Sequence, residues 1–116
     1  MKKILYVITL FLCNCNEPTC FTFKNEFRHY SKEIVIREKE QKQRDLFFIG
    51  LNKFNTADTF VINIGIQTIF DEAEINDTIV KPIDTTIIIL KKRQKEIIYF
   101  YNCPHEKFYK PIIINH

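Results

Sequence analysis

Phe60-Val61-Ile62-Asn63-Ile64-Gly65-Ile66-Gln67-Thr68-Ile69-Phe70 is the stretch on which the fold reading turns. Phe60, Ile62, Ile64, Ile66, Thr68 and Phe70 share one parity; Val61, Asn63, Gly65, Gln67 and Ile69 share the other. Alternation sustained over this length predicts a half-buried β-strand, one face in the core and one mostly wet. Position counts for more than abundance here. The chain holds twenty Ile against six Leu and two Ala, a ratio that disfavours a helix bundle. An AT-rich coding sequence, however, over-uses Ile, Lys, Asn, Phe and Tyr by itself. Nucleotide bias is blind to parity, so the parity carries the argument.

Strand signals continue on both sides. Glu33–Arg37 is short and β-branched, and Leu46–Ile49 is apolar within Asp45–Leu51. A helix from Asn25 is the competing pattern upstream, because Phe27, Tyr30 and Ile34 fall on one helical face, but Arg37 to Asp45 contains no apolar residue and reads as a solvated hairpin connection. Asp71–Asp77 is an acidic connection, and Thr78–Lys81 is a strand stopped by Pro82. Ile87–Leu90 is apolar on both faces and reads as a central strand. Ile97–Tyr101 and Phe108–Ile114, the latter interrupted at Pro111, complete about seven short strands separated by polar turns. The class is all-β: an antiparallel sandwich or small barrel. The wet-faced strand, then Pro82-Ile83-Asp84-Thr85-Thr86, then a fully apolar strand resembles immunoglobulin-like and fibronectin-like sandwiches over about half the chain. The resemblance implies a fold and no function.

The start of the chain carries a different signal. Met1-Lys2-Lys3 precedes the apolar run Ile4–Leu12, which gives way to Cys13-Asn14-Cys15-Asn16-Glu17-Pro18. A basic start, a short apolar run and an abrupt polar shift predict a secretory signal. The run is too short for a bilayer, which needs roughly 20 apolar residues; a buried first strand is the alternative. Leu12-Cys13-Asn14-Cys15 resembles the lipobox of bacterial lipoproteins, which implies removal of residues 1–14 and lipidation of Cys15. Asn14 stands where Gly, Ala or Ser is usual. Ordinary signal cleavage after Cys15, releasing a soluble protein from Asn16, is the other route. The expected organisation is a signal peptide over 1–14, a lipidated polar tether over 15–31 and one β-sandwich domain over 32–116.

Export changes two counts. Of four cysteines, Cys20 and Cys103 remain to form a bridge in an oxidising compartment or to stay as two thiols. Loss of residues 1–14 removes Lys2 and Lys3 and lowers the formal side-chain charge from +3 to +1. A mildly basic balance therefore does not point to nucleic acid.

Sites of chemistry are sparse in the sequence. With only two glycines, Gly50 and Gly65, no nucleophile elbow or phosphate-cradling loop can be written. Cys103 and His105 are weak metal candidates, but no Cys-x-x-Cys or His-x-x-x-His spacing accompanies them, and no metal or cofactor is expected. Asp71, Glu72, Glu74 and Asp77 lack EF-hand spacing. The cluster Lys91, Lys92, Arg93 and Lys95 is the candidate for lipid head-group contact. Tyr99, Phe100, Tyr101, Phe108 and Tyr109 concentrate aromatic surface near the end of the chain, where any exposed part would suit a protein or glycan. The sequence thus points to a non-catalytic, membrane-anchored binding or accessory module of a cell envelope. A soluble secreted inhibitor or immunity-type protein is the second reading.

Overall fold

A computed structural model describes residues 20–43, 45–62, 67–103 and 107–116. Its elements are α1 (Cys20–Arg28), β1 (Lys32–Lys42), β2 (Asp45–Asn52), β3 (Ala57–Ile62), α2 (Gln67–Glu72), β4 (Thr78–Lys81), β5 (Ile87–Lys91), β6 (Lys95–Phe100) and β7 (Ile112–Asn115). Seven strands pair antiparallel throughout, in the order β3-β2-β1-β4-β5-β6-β7. Only the passage from β3 to β4 leaves the meander. The all-β, antiparallel expectation holds. Where a sandwich would divide the strands between two sheets, here they form one sheet that curls until its flanks face each other across a single core.

The curl follows from a distance argument. Four strands separate β3 from β6, so a flat sheet would hold them about 24 Å apart at 4.8 Å per step. Yet the Phe27 ring lies 6.2 Å from Phe60 of β3 and 5.2 Å from Tyr101, just beyond β6. The concave face collects one parity from each strand: Ile34, Ile36, Phe48, Phe60, Ile79, Ile88 and Leu90 are all at most 1% exposed. On β5 the outward Ile87 and Ile89 are only half-buried, so this central strand is less enclosed than its uniform sequence suggests.

A bulge helps to bend the long strand β1. Ile36 pairs with Gly50 and Glu38 with Ile49, leaving Arg37 unpaired and reaching Asn76 with a 2.7 Å hydrogen bond. Gly50 is required opposite the bend, because a Cβ there would stand 1.8 Å from the Val35 carbonyl oxygen.

Two expectations are corrected. The eleven-residue strand does not extend to Phe70: β3 ends at Ile62 and α2 occupies Gln67–Glu72, while Asn63–Ile66 lie outside the described residues. Ile69 and Ala73, four apart, are both fully buried, and Ala73 N–H donates to the Ile69 carbonyl at 2.9 Å. That spacing belongs to a helix. Among the described residues of α2, the buried Ile69 has the parity opposite to Phe60 and Ile62, and Thr68, which shares their parity, is exposed. The charged run 37–45 is likewise mostly strand. β1 continues to Lys42, and the turn begins at Gln43, with φ 55°. Its lysines set their amines over aromatic neighbours: the Lys39 amine sits 4.8 Å from the Phe70 ring and donates to the Phe70 carbonyl, and the Lys42 amine lies over Phe47.

Each helix closes one end of the curled sheet. At the end formed by the start of β1 and the finish of β4 and β6, α1 turns Cys20, Phe23 and Phe27 inward at helical spacing. The helix therefore begins before Asn25, inside the segment expected to be a tether. At the opposite end α2 inserts Ile69 and sets Phe70 5.9 Å from Phe48.

The Cys20–Cys103 disulfide pins α1 to the chain beyond β6, across a separation of 83 residues. Replacing both cysteines by serine should lower the unfolding free energy by about 3 kcal/mol, measured by urea titration against the oxidised protein. Gly50→Ala should cost about 3 kcal/mol in the same assay, because backbone must move to admit the methyl group.

Candidate binding groove and its surroundings

The C-terminal quarter of the chain builds a groove between α2, β6 and the segment leading into β7. Its volume is about 330 Å³, with Ile97 and Tyr99 as floor and Thr68, Glu72, Phe108 and Ile113 among its walls. Asn102 sets its shape. The Asn102 side chain donates to the Tyr109 carbonyl at 3.0 Å and to the Phe100 carbonyl at 3.3 Å, and accepts from Tyr109 N–H at 2.9 Å. A side-chain amide thus takes the place of a strand partner and holds Tyr109 beside Phe100, their rings 5.5 Å apart. Lys95 and Glu72 pair at 3.2 Å on the rim.

Strand β7 forms the outer lip, and all four of its residues are exposed. His116 N–H donates to the Gln94 carbonyl, which fixes the alternation of the β6–β7 ladder. Ile112 and Ile114 therefore direct their backbone groups toward β6, while those of Ile113 and Asn115 face the open side. The groove adjoins a sheet edge with unused donors and acceptors. The other edge strand, β3, is flanked by Phe23 and Glu26 of α1 and by Tyr30 just after it, near Val61 and Ile62.

The basic hairpin of β5 and β6 is partly committed elsewhere. The Lys92 amine hydrogen-bonds Asp77, pairs with Glu74 at 2.9 Å and donates to the Glu72 carbonyl at 2.8 Å, leaving its side chain 11% exposed. Burial alone would push its pKa down, but hydrogen bonds and charge from Asp77 and Glu74 outweigh that and hold it above the ordinary lysine range. With Lys95 held by Glu72, only Lys91 and Arg93 of the four expected head-group residues are exposed. The acidic connection thus serves as counter-charge for this hairpin.

Cys103 is taken up by the disulfide, so its sulfur does not offer a metal a thiolate. His105 and Cys15 lie outside the described residues. Among the described residues, no three His, Cys, Asp or Glu side chains converge as a metal site, and no helix is long and apolar enough to cross a membrane.

The sequence reading placed Lys81 at the end of a strand and missed its burial. It is fully buried, its amine donating to the Tyr30 and Pro82 carbonyls and lying 5.1 Å from the Phe27 ring. Burial pushes its pKa down. The signal was available: Lys81 shares the parity of Ile79 in a four-residue strand.

No protein-family model, curated protein or solved structure matches this chain.

Tyr99 and Tyr101 are 3% and 6% exposed, and burial pushes both phenols up to about 12. For Tyr99 the Glu72 charge adds to the shift. A folded-state pKa above the unfolded value of 10.0 contributes stability that is complete below pH 10 and disappears as pH rises to about 12. Each phenol should steepen the loss by about 1.4 kcal/mol per pH unit in that window. Denaturant titrations from pH 9 to 12 should show the decline, and Tyr99→Phe should flatten it.

Proposed function

We propose that this chain is an exported, non-catalytic binding module of a bacterial cell envelope, anchored by lipid on Cys15. The groove and open edge of β7 would accept an extended, apolar segment of a protein partner. The observation that carries the binding half is the pairing of an aromatic groove with the outward backbone groups of Ile113 and Asn115. An added strand would gain main-chain hydrogen bonds from the edge and side-chain contacts from the groove. The frame suits this role as a curled antiparallel sheet that presents an edge. The Cys20–Cys103 bridge agrees with an oxidising compartment, where such bonds persist. Lipidation of Cys15 would place the molecule at a membrane surface; release from Asn16 by ordinary cleavage would instead make it a soluble inhibitor or immunity-type protein.

Radiolabelled palmitate should enter the wild-type chain in a bacterial host and be lost in Cys15→Ala. A free Asn16 N-terminus on the mature protein would establish the soluble form. For the binding half, a photo-crosslinker at Ile114 should capture one defined species in the host. Ile113→Pro, which removes an outward N–H and spares the β6 ladder, should abolish that capture; capture that persists in I113P rules out strand addition.

A further inference from the structure

Burial alternates along β6 and keeps its two-residue period beyond the end of the strand. Ile97, Tyr99, Tyr101 and Cys103 are buried, while Ile98, Phe100 and Asn102 are half-buried. The two parities meet different neighbours. On the buried side, the Tyr101 ring lies 5.2 Å from Phe27 of α1, and Cys103 is bonded to Cys20 at the start of α1. On the other side, Asn102 clasps both backbone groups of Tyr109, and the Phe100 ring rests against that of Tyr109. Asn102 is therefore flanked by the two residues that α1 holds. One short stretch of chain connects the bridge to the wall of the groove.

That stretch has little else of its own to stand on. Residues 101–103 belong to no strand, and Tyr101 N–H donates to the Thr86 carbonyl at 3.1 Å. The groove wall is exposed: Tyr109 is 49% exposed and β7 is exposed throughout, so this wall gains little from burial and leans on the clasp. α1 has nine residues, short of the length at which a helix persists unaided in water. Breaking the bridge frees the Cys103 side of the stretch and the first turn of α1 together. The clasp must then order more of its own backbone.

We propose that the Cys20–Cys103 bridge is a redox control on the groove. Oxidised, it holds Asn102 where it clasps Tyr109; reduced, it lets that wall open. The reaction is thiol–disulfide exchange with a dithiol reductant. One thiolate of the dithiol attacks the sulfur of Cys20, the less buried of the pair, and Cys103 departs and takes up a proton. The second thiolate attacks the mixed disulfide, which releases Cys20 as a thiol and the reagent as its own disulfide. Two electrons and two protons pass to the protein. The coupling is reciprocal. Whatever holds the clasp also holds the bridge, so a strand seated on β7 makes the bridge harder to reduce. That consequence rests on the binding reading above, whereas the coupling itself requires no partner.

Tyr109 N–H, which donates to the Asn102 side-chain oxygen, is the reporter. Its hydrogen exchange in the full chain, followed by NMR, should be at least tenfold faster after reduction with dithiothreitol. Amides of the β1–β2 ladder should still exchange at least a hundredfold more slowly than Tyr109. Asn102→Ala, with the bridge intact, tests the reverse direction. In dithiothreitol redox buffers its equilibrium constant for reduction should rise at least threefold over wild type. Ile36→Val, a core deletion three strands from β6, should leave that constant unchanged. Tyr109 exchange that ignores reduction, or that merges with exchange of the ladder, refutes the control. So does an unchanged constant in Asn102→Ala, or an equal rise in Ile36→Val. If both expected results hold and capture at Ile114 fails, the partner reading falls and the redox control stands.

Discussion

The ring of Phe27 touches Phe60 on one flank of the sheet and Tyr101 on the other, and only a curled sheet can bring both flanks to one ring. Much else follows from that contact. A seven-stranded sheet with one apolar face must cover it, and among the described residues two short helices are there to do so. Curling lets the sheet cover most of its own face and leaves two open ends. Phe27 fills one; Ile69 and Phe70 fill the other. The bulge at Arg37 and the missing side chain at Gly50 supply the bend that makes this economical. Lys81 belongs to the same junction, because its amine satisfies the Tyr30 carbonyl where α1 hands the chain to β1. A buried amine is tolerated there because two carbonyls and two aromatic faces replace the water it gave up.

The two ends are closed by different chemistry. At the α2 end, Lys92 gathers Asp77 and the exposed Glu74, and Lys95 meets Glu72. Such pairs add little net stability once desolvation is counted. Their effect is positional: they hold a six-residue helix, too short to persist by itself, against the β5–β6 turn. At the α1 end the restraint is covalent and aromatic. The disulfide fixes a nine-residue helix that would otherwise fray, and its apolar residues divide between a buried set and an exposed set.

Parity read the strands well wherever both faces of a strand met distinct environments. Thr78–Lys81 has the bounds the sequence suggested, and β5 and β6 lie within a residue or two of their expected positions. Parity misled where an every-second-residue run of isoleucines (62, 64, 66) leads into a helix whose buried pair, Ile69 and Ala73, is four apart. From Phe60 to Ile62 the alternation is a strand; at Ile69 the relevant neighbour is Ala73, and a two-residue period hides a four-residue one. The charged run 37–45 failed for the opposite reason. Charged residues can extend a strand when their amines find aromatic rings on β2 and α2, and the position of those rings is set by tertiary packing. The groove was half legible. The aromatic concentration at Tyr99–Tyr109 marked its location, but the Asn102 clasp and the open side of β7 depend on pairing register, which no single segment encodes.

The basic hairpin shows why local charge is a poor guide to a surface. Lys91, Lys92, Arg93 and Lys95 are contiguous in sequence, yet the pleat sends them in different directions. Lys92 turns inward to three acceptors on the α2 connection, and Lys95 lies on the groove side with Glu72. The cations that stay beside exposed rings, Lys53 and Lys107, are isolated in sequence and come from turns fifty residues apart. They share an end only because an antiparallel meander returns every second connection to the same side of the sheet. Surface chemistry in this chain is thus assembled by topology: the β2–β3 and β6–β7 connections carry rings with amines alongside, and the β3–β4 and β5–β6 connections carry the ionic network that secures α2.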